Sequence, residues 1–186
     1  MAGTTVNVLD STLRLTGQRV TLRAFRPEEI DLALELRGRT EGFAPDPAGT
    51  EAVRERLGRS GRLVDGRLDL AIEAGGRLAG EIDARQIRGS MPPGVFEIGI
   101  ALYETADRGR GYGREATALL TRHLFEDLDA ARVQASTDVE NAAMRRVLDR
   151  CGFVEEGVMR SFMPAGGERR DYVLSAVTRE DWSERR

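Results

Sequence analysis

Residues 108–113 read Arg108-Gly109-Arg110-Gly111-Tyr112-Gly113, and this stretch decides how the rest of the chain is read. Just before it, residues 95–103 (VFEIGIALY) have the apolar, β-branched character of a strand. Just after it, Ala116, Leu119, Leu120 and Leu124 recur at helical spacing. The stretch is therefore a glycine-rich loop between a strand and a helix. Glycine lets backbone approach a ligand closely and adopts positive φ without strain. The first N–H groups of a helix have no intrahelical partner, and the helix dipole there favours anions. Arg108, Arg110 and Arg114 add positive charge. Such a loop suits a phosphate or pyrophosphate, although the residues alone also fit a plain connecting loop or an Arg/Gly nucleic-acid tract.

Working outward, the downstream half continues with a strand over 132–137 (RVQAST). A helix is predicted over 141–151, with Met144, Val147, Leu148 and Cys151 at i, i+3, i+4, i+7 and Gly152 in the C′ position. Strands over 154–163 and 169–177 follow, joined at Gly166-Gly167. Upstream, 18–25 (QRVTLRAF) alternates as a strand, and Pro27 starts a helix carrying Ile30, Ala33 and Leu34. A loop over 40–49 holds Glu41, Phe43 and Asp46, after which Thr50 is expected to cap a second helix with Val53 and Leu57. Three strands, 68–74, 77–87 and 95–103, read as an antiparallel meander. The order β-α-α-β-β-β-α-β-α-β-β describes an α/β (α+β) domain around one central, mixed, mostly antiparallel sheet. We expect about seven strands and four flanking helices. Residues 1–17 form an N-terminal extension, 18–182 the domain and 183–186 a C-terminal tail.

Composition narrows the chemistry. The chain has 186 residues, which favours one domain. All 28 basic residues are Arg; there is no Lys, which excludes a Walker loop and any Schiff-base lysine. With 31 acidic residues the net charge is −3, so a globally basic nucleic-acid binder is excluded and no nucleic-acid partner is expected. Cys151 stands alone, so no internal disulfide forms. His123 stands alone, so no His-rich metal site exists and no metal is expected. No apolar run approaches the roughly 20 residues of a membrane span, and no signal peptide is visible, so a cytoplasmic protein without membrane contact is expected. The loop is not a dinucleotide fingerprint. The strands before it read as a meander, and no βαβ unit with an acidic residue about 20 positions on follows. His123 reads as packing or surface, and Cys151 as a small buried hydrophobe.

The loop resembles the acetyl-CoA signature of the GNAT N-acetyltransferase family, Arg/Gln-x-x-Gly-x-Gly/Ala, with Arg108, Gly111 and Gly113 at its fixed positions. Residues 141–153 (NAAMRRVLDRCGF) resemble the family's second signature, an Asn opening the next helix and a Gly-Phe just after it. The resemblance covers roughly residues 18–182. Gly157-Val158-Met159-Arg160, Arg170-Asp171-Tyr172-Val173-Leu174 and Asp181-Trp182 resemble the ribosomal-protein N-terminal acetyltransferase branch. That branch also contains small-molecule and antibiotic acetyltransferases.

The resemblance implies an acyltransferase that moves an acetyl group from acetyl-CoA to a primary amine. The first expectation for the acceptor is a protein or peptide N-terminal amine. The alternatives are a small-molecule amine such as an antibiotic or amino-sugar, or CoA binding without turnover. The implied cofactor-binding residues are Arg108, Gly109, Arg110, Gly111, Tyr112, Gly113 and Arg114 around the pyrophosphate, and Asn141 beside the pantetheine arm. Ile100 and Leu102 mark the strand segment expected to donate backbone N–H groups to the oxyanion. Glu97, on the same strand, is the expected general base, acting through water. Leu148 stands where some relatives carry Tyr, and Met144 where this branch often carries Ser, so both read as core. Tyr103, Tyr112 and Tyr172 are the phenols left as candidate acids. The acceptor pocket is expected between 40–50 and 160–170, and members of this branch are commonly homodimers.

Overall fold

The structure, a computed structural model, describes residues 12–41, 47–86 and 92–185. Its elements in chain order are β1 (Arg14–Thr16), β2 (Thr21–Arg23), a 3-10 turn (Pro27–Glu29), α1 (Ile30–Glu41), α2 (Pro47–Gly58), β3 (Arg67–Ala74), β4 (Arg77–Arg85) and β5 (Val95–Leu102). These are followed by α3 (Tyr112–Glu126), β6 (Arg132–Asp138), α4 (Ala142–Arg150), β7 (Val154–Ala165), β8 (Glu168–Thr178) and α5 (Arg179–Glu184). The eight strands form one sheet in the order β1-β2-β3-β4-β5-β6-β8-β7. All neighbours are antiparallel except β5 and β6, which run parallel. The expected element order is present, with β1 and α5 added at its ends.

Each face of the sheet has its own core. Alternation along the strands sends Leu68, Leu70 and Ile72 of β3 and Phe96 and Ile98 of β5 to one face, where Ala116, Leu119, Leu120 and Leu124 of α3 cover them. Ala71 points to the other face and packs with Phe25, Ala33, Leu36, Leu57 and Leu78 beneath α1 and α2. Burial of this kind is worth about 1.5–3 kcal/mol per large aliphatic side chain, so the two layers hold the sheet rigid between them.

Three local expectations change. The helix expected to be capped by Thr50 begins at Pro47, so Thr50 sits inside it; proline's fixed φ and missing N–H suit a first helical position. The strand expected over 18–25 is confined to Thr21–Arg23, because Gln18 and Arg19 belong to the β1–β2 turn. The segment after the meander does form a parallel crossover: β5, α3 and β6 make a βαβ unit, although without a dinucleotide fingerprint. The sequence hid this because β5 is antiparallel to β4 on one side and parallel to β6 on the other.

Helix α4 ends as read. The N–H of Gly152 donates to Asp149 O (2.9 Å) and that of Phe153 to Leu148 O (3.0 Å), with Gly152 at φ +91°. This is the paired bonding of a Schellman stop, and Phe153 and Leu148 share the core beneath it.

Candidate active site

The site begins where β5 and β6 part. They pair only at Val95–Arg132, Phe96–Val133 and Glu97–Gln134. Beyond that β5 continues to Leu102 paired with β4 alone, while β6 pairs with β8. The N–H of Tyr103 donates to Ala79 O (3.0 Å), toward β4. Backbone direction alternates along a strand, so the N–H groups of Ile100 and Leu102 turn the other way, into the gap where β6 has departed. The side chains of Ile100 and Leu102 line the same opening.

Above the gap sits the glycine-rich loop. Asp107 is fully buried and accepts a forked pair of hydrogen bonds from Arg77 Nη1 (2.9 Å) and Nη2, which fastens the loop to the start of β4. Gly109 and Gly111 adopt φ of +76° and +83°. Gly111 is the N-cap of α3 in the left-handed conformation. Gly113, in the first turn, lies against the sheet: a Cβ there would be 3.9 Å from Ile100 Cδ1 and 4.0 Å from Leu102 Cδ1. The loop, the end of β5 and the start of α4 enclose a groove of about 790 Å³.

Every expected binding residue lines this groove: Ile100, Leu102, Arg108, Gly109, Arg110, Gly111, Tyr112, Gly113, Arg114 and Asn141. Asn141 also caps α4. Its Oδ1 accepts from Met144 N (3.1 Å) and its Nδ2 donates to Thr137 Oγ1 (3.1 Å). The free N–H groups at the start of α3, the free strand edge and the surrounding cations fit an extended ligand with a polyphosphorylated end.

Sequence reasoning missed Arg19, Arg146 and Arg150, which also line the groove. Ala143, Arg146 and Arg150 recur at i, i+3, i+7, a helical face that flanks the apolar stripe and was legible in principle. Met144, read as core, packs against the core but also lines the groove. Leu148 is buried as read.

Glu97 is not in the groove. Alternation places it on the opposite face of β5 from Phe96 and Ile98. Its Oε1 accepts from Arg85 Nη2 (2.9 Å) and its Oε2 from Gln134 Nε2 (3.4 Å). The pairing extends across the sheet. Asp83 Oδ2 lies 3.4 Å from Arg85 Nε and 3.1 Å from Arg67 Nη2, and burial pushes its carboxyl above the usual range against the pull of both guanidinium groups. Gly99 leaves room for this chain of charges, since a Cβ there would come within 2.9 Å of Asp83 Oδ1.

Among the phenols, Tyr112 lines the groove. Tyr103 is buried and donates to Glu81 Oε2 (3.1 Å), and Tyr172 stacks obliquely on Phe162 (ring centroids 5.7 Å apart). His123 sits toward the far end of α3, its Nδ1 2.6 Å from Asp127 Oδ2. The Cys151 thiol donates to Arg114 O (3.4 Å), and burial pushes its pKa up to about 11. Phe43, Asp46 and the Glu41 side chain, named for the acceptor pocket, lie outside the described residues. Among the described residues no helix is long and apolar enough to cross a membrane, and no cluster of three or more His, Cys, Asp or Glu is placed to hold a metal.

A sheet that opens at a parallel pair, with a glycine-rich helix start over the opening, forms a site suited to an extended, polyphosphorylated ligand. Residues 19–154 match the family described as "Acetyltransferase (GNAT) domain", and the chain belongs to that family. The chain is an N-acetyltransferase. It is 27% identical over 174 residues to the SPbeta prophage-derived uncharacterized N-acetyltransferase YokL of Bacillus subtilis, covering 90% of this chain and 94% of that one. Over 76 residues it is 30% identical to the [ribosomal protein uS5]-alanine N-acetyltransferase of Escherichia coli, covering 41% of this chain and 39% of that one. Its fold matches Mycobacterium smegmatis RimJ in complex with CoA-disulfide with a TM-score of 0.73 at 23% identity, over 91% of this chain and 89% of that one.

Proposed function

We propose that the protein transfers an acetyl group from acetyl-CoA to the N-terminal amine of a protein or peptide in the cytoplasm. The observation that carries this reading is the gap between β5 and β6, with the outward N–H groups of Ile100 and Leu102 beneath a glycine-rich helix start suited to phosphate. The N–H groups of 109–114 and the loop arginines hold the phosphates. Asn141 and the free edge of β5 line the path of the pantetheine arm. The amine nitrogen attacks the thioester carbonyl carbon, the C–S bond breaks, and the thiolate departs. An N–H at Ile100 or Leu102 receives the charge that develops on the carbonyl oxygen. Glu97, on the face of β5 opposite the cofactor groove, takes the proton through a water from an amine that reaches the thioester from that face. Arg85 holds one oxygen of Glu97, and the longer bond from Gln134 leaves the second oxygen weakly engaged. The thiolate needs no side-chain acid, because a thiol of pKa about 8.5 is a competent leaving group. The low-identity likeness to a ribosomal-protein acetyltransferase supports a protein acceptor.

Release of free CoA thiol across a panel of amines tests this reading. Peptides with a free N-terminus are expected to turn over faster than aminoglycosides, amino-sugars or polyamines. Faster turnover of a small amine would move the acceptor to that class. CoA binding with no turnover of any amine would overturn the proposed reaction. Glu97→Gln is expected to lower kcat and remove the acidic limb of its pH profile, and an unchanged profile would reject Glu97 as the base.

A further inference from the structure

We propose that Arg19, on the β1–β2 turn, contacts the phosphate end of the acyl donor and is held in place for this by Glu115. This rests on the reading of the groove as an acetyl-CoA site. The Glu115 carboxylate, in the first turn of α3, accepts hydrogen bonds from the backbone N–H of Gln18 and from that of Arg19, the latter at 3.1 Å to each oxygen. These bonds join residues about a hundred positions apart in the sequence and dock the turn onto the start of α3. The Arg19 side chain then leans over the loop: a Cβ on Gly111 would lie 3.8 Å from Arg19 Cδ and 3.9 Å from its Nε. Arg19 lines the groove together with Arg108, Arg110, Arg114, Arg146 and Arg150.

The pairing of the arginines separates these six from many others. Outside the groove, Arg23, Arg26, Arg67, Arg85, Arg132, Arg145, Arg170 and Arg179 each hold a carboxylate. None of the six groove guanidiniums pairs with a carboxylate among the described residues. The groove's Asp107 is taken up by Arg77. The positive charge is therefore left for a ligand that carries several negative charges. A 3′-phosphorylated ADP end supplies them, and a bare pantetheine thioester does not. Arg19 comes from the β1–β2 turn and Arg146 and Arg150 from α4, so the phosphates are met by cations from separate elements.

The test compares Arg19→Gln, Arg19→Lys, Glu115→Ala and Arg122→Gln. Arg122 is exposed on α3, lies outside the groove and controls for net charge. CoA binding is read by calorimetry at two salt concentrations. kcat/KM is read for acetyl-CoA and for S-acetylpantetheine. Arg19→Gln is expected to weaken CoA binding about tenfold and flatten its salt dependence. It should raise the KM for acetyl-CoA by a similar factor and leave S-acetylpantetheine unchanged. Arg19→Lys restores part of the loss, and Glu115→Ala produces part of it. Equal losses on both thioesters, or a loss no larger than that of Arg122→Gln, would overturn the proposal. If the wild type does not bind CoA, the site reading itself fails. If the wild type binds but Arg19→Gln binds equally well, only the role of Arg19 fails.

Discussion

Arg23 and Glu29 form a buried fork: Nη1 donates to Oε2 and Nη2 to Oε1, each at 2.7 Å, with Arg23 5% and Glu29 9% exposed. Glu73 accepts from Arg23 Nε (2.8 Å), and Arg26 N donates to Glu29 (3.0 Å), so β2, β3 and the start of the first helix meet at one guanidinium. Burial works against ionisation of Glu29, but the bonds from Arg23 and Arg26 outweigh it and hold the carboxyl below the usual range. Removing one partner leaves the other charge buried and unmatched. Arg23→Met is expected to cost about 3–5 kcal/mol at neutral pH by urea unfolding.

The same pair sets a pH signature. A carboxyl whose pKa falls on folding stabilises above its unfolded value of about 4.3, and that contribution is lost as pH falls through the native value. The stability gap between wild type and Glu29→Gln should therefore be largest near neutrality and close below about pH 4. Melting temperatures from pH 7 to pH 3 measure it. A gap that stays constant over that range would show that Glu29 contributes packing and not charge.

Cys151 is expected to be inert in the native state. Its thiol is pushed up to about 11 by burial, with Arg114 pulling weakly the other way. At pH 8 its thiolate fraction should then be roughly a hundredfold below that of an ordinary thiol. Labelling by a disulfide reagent should be slow at pH 8, accelerate above pH 10, and become immediate in denaturant. Because the pKa is raised by folding, the associated stability is full below about pH 8.5 and declines as pH rises through 11. Fast native labelling at pH 8 would show an open path to the sulfur.

Gly111 and Gly113 are two residues apart and should respond oppositely to alanine. At φ +83° a Cβ on Gly111 is strained whatever the space around it, so Gly111→Ala should lose about 1–2 kcal/mol of stability as well as CoA affinity. Gly113 lies inside α3, and a Cβ there makes ordinary contacts with Ile100 and Leu102. Gly113→Ala should gain up to about 1 kcal/mol of stability. It should still weaken CoA binding, because the methyl occupies the wall of the groove. Thermal melts and CoA calorimetry on the two variants separate folding from binding.

The loop, the helix behind it and Asn141 were legible because their signals are local. Positive-φ glycines, helical spacing and an N-cap each lie within a few residues. The partition of Ile100 and Leu102 from Glu97 also follows from strand alternation, yet the sequence alone does not say which face the groove occupies. Arg19 was not legible. Its place depends on a contact with Glu115 across nearly a hundred residues, and nothing near Gln18 and Arg19 announces it. The opening between β5 and β6 was hidden for a related reason: a strand that is antiparallel on one edge and parallel on the other has no distinct residue pattern of its own. Arg146 and Arg150 were obscured by the apolar stripe of their own helix, which drew the reading toward packing.

Gly80 of β4 tests whether the free edge of β5 must sit where it does. It pairs with Leu102, and a Cβ on Gly80 would run into the carbonyl oxygen of Ala101 and come within 3.1 Å of Leu102 Cα. The obstacle is backbone, so the strand itself must shift. Gly80→Ala is expected to cost about 1–3 kcal/mol of stability through overpacking. A displacement of the outward N–H groups by even a fraction of an ångström also misaligns the oxyanion donors, and kcat should fall at least about tenfold. Gly58→Ala serves as the control, since a Cβ at the end of α2 meets nothing within 4 Å. Measured well below the melting temperature, the kcat of Gly80→Ala should fall while CoA affinity stays near wild type. The phosphate loop is held to the start of β4 by the Asp107–Arg77 pair, but its N–H donors lie at the start of α3 and not on β5. Loss of CoA affinity in step with kcat would show instead that the substitution disrupts the whole groove.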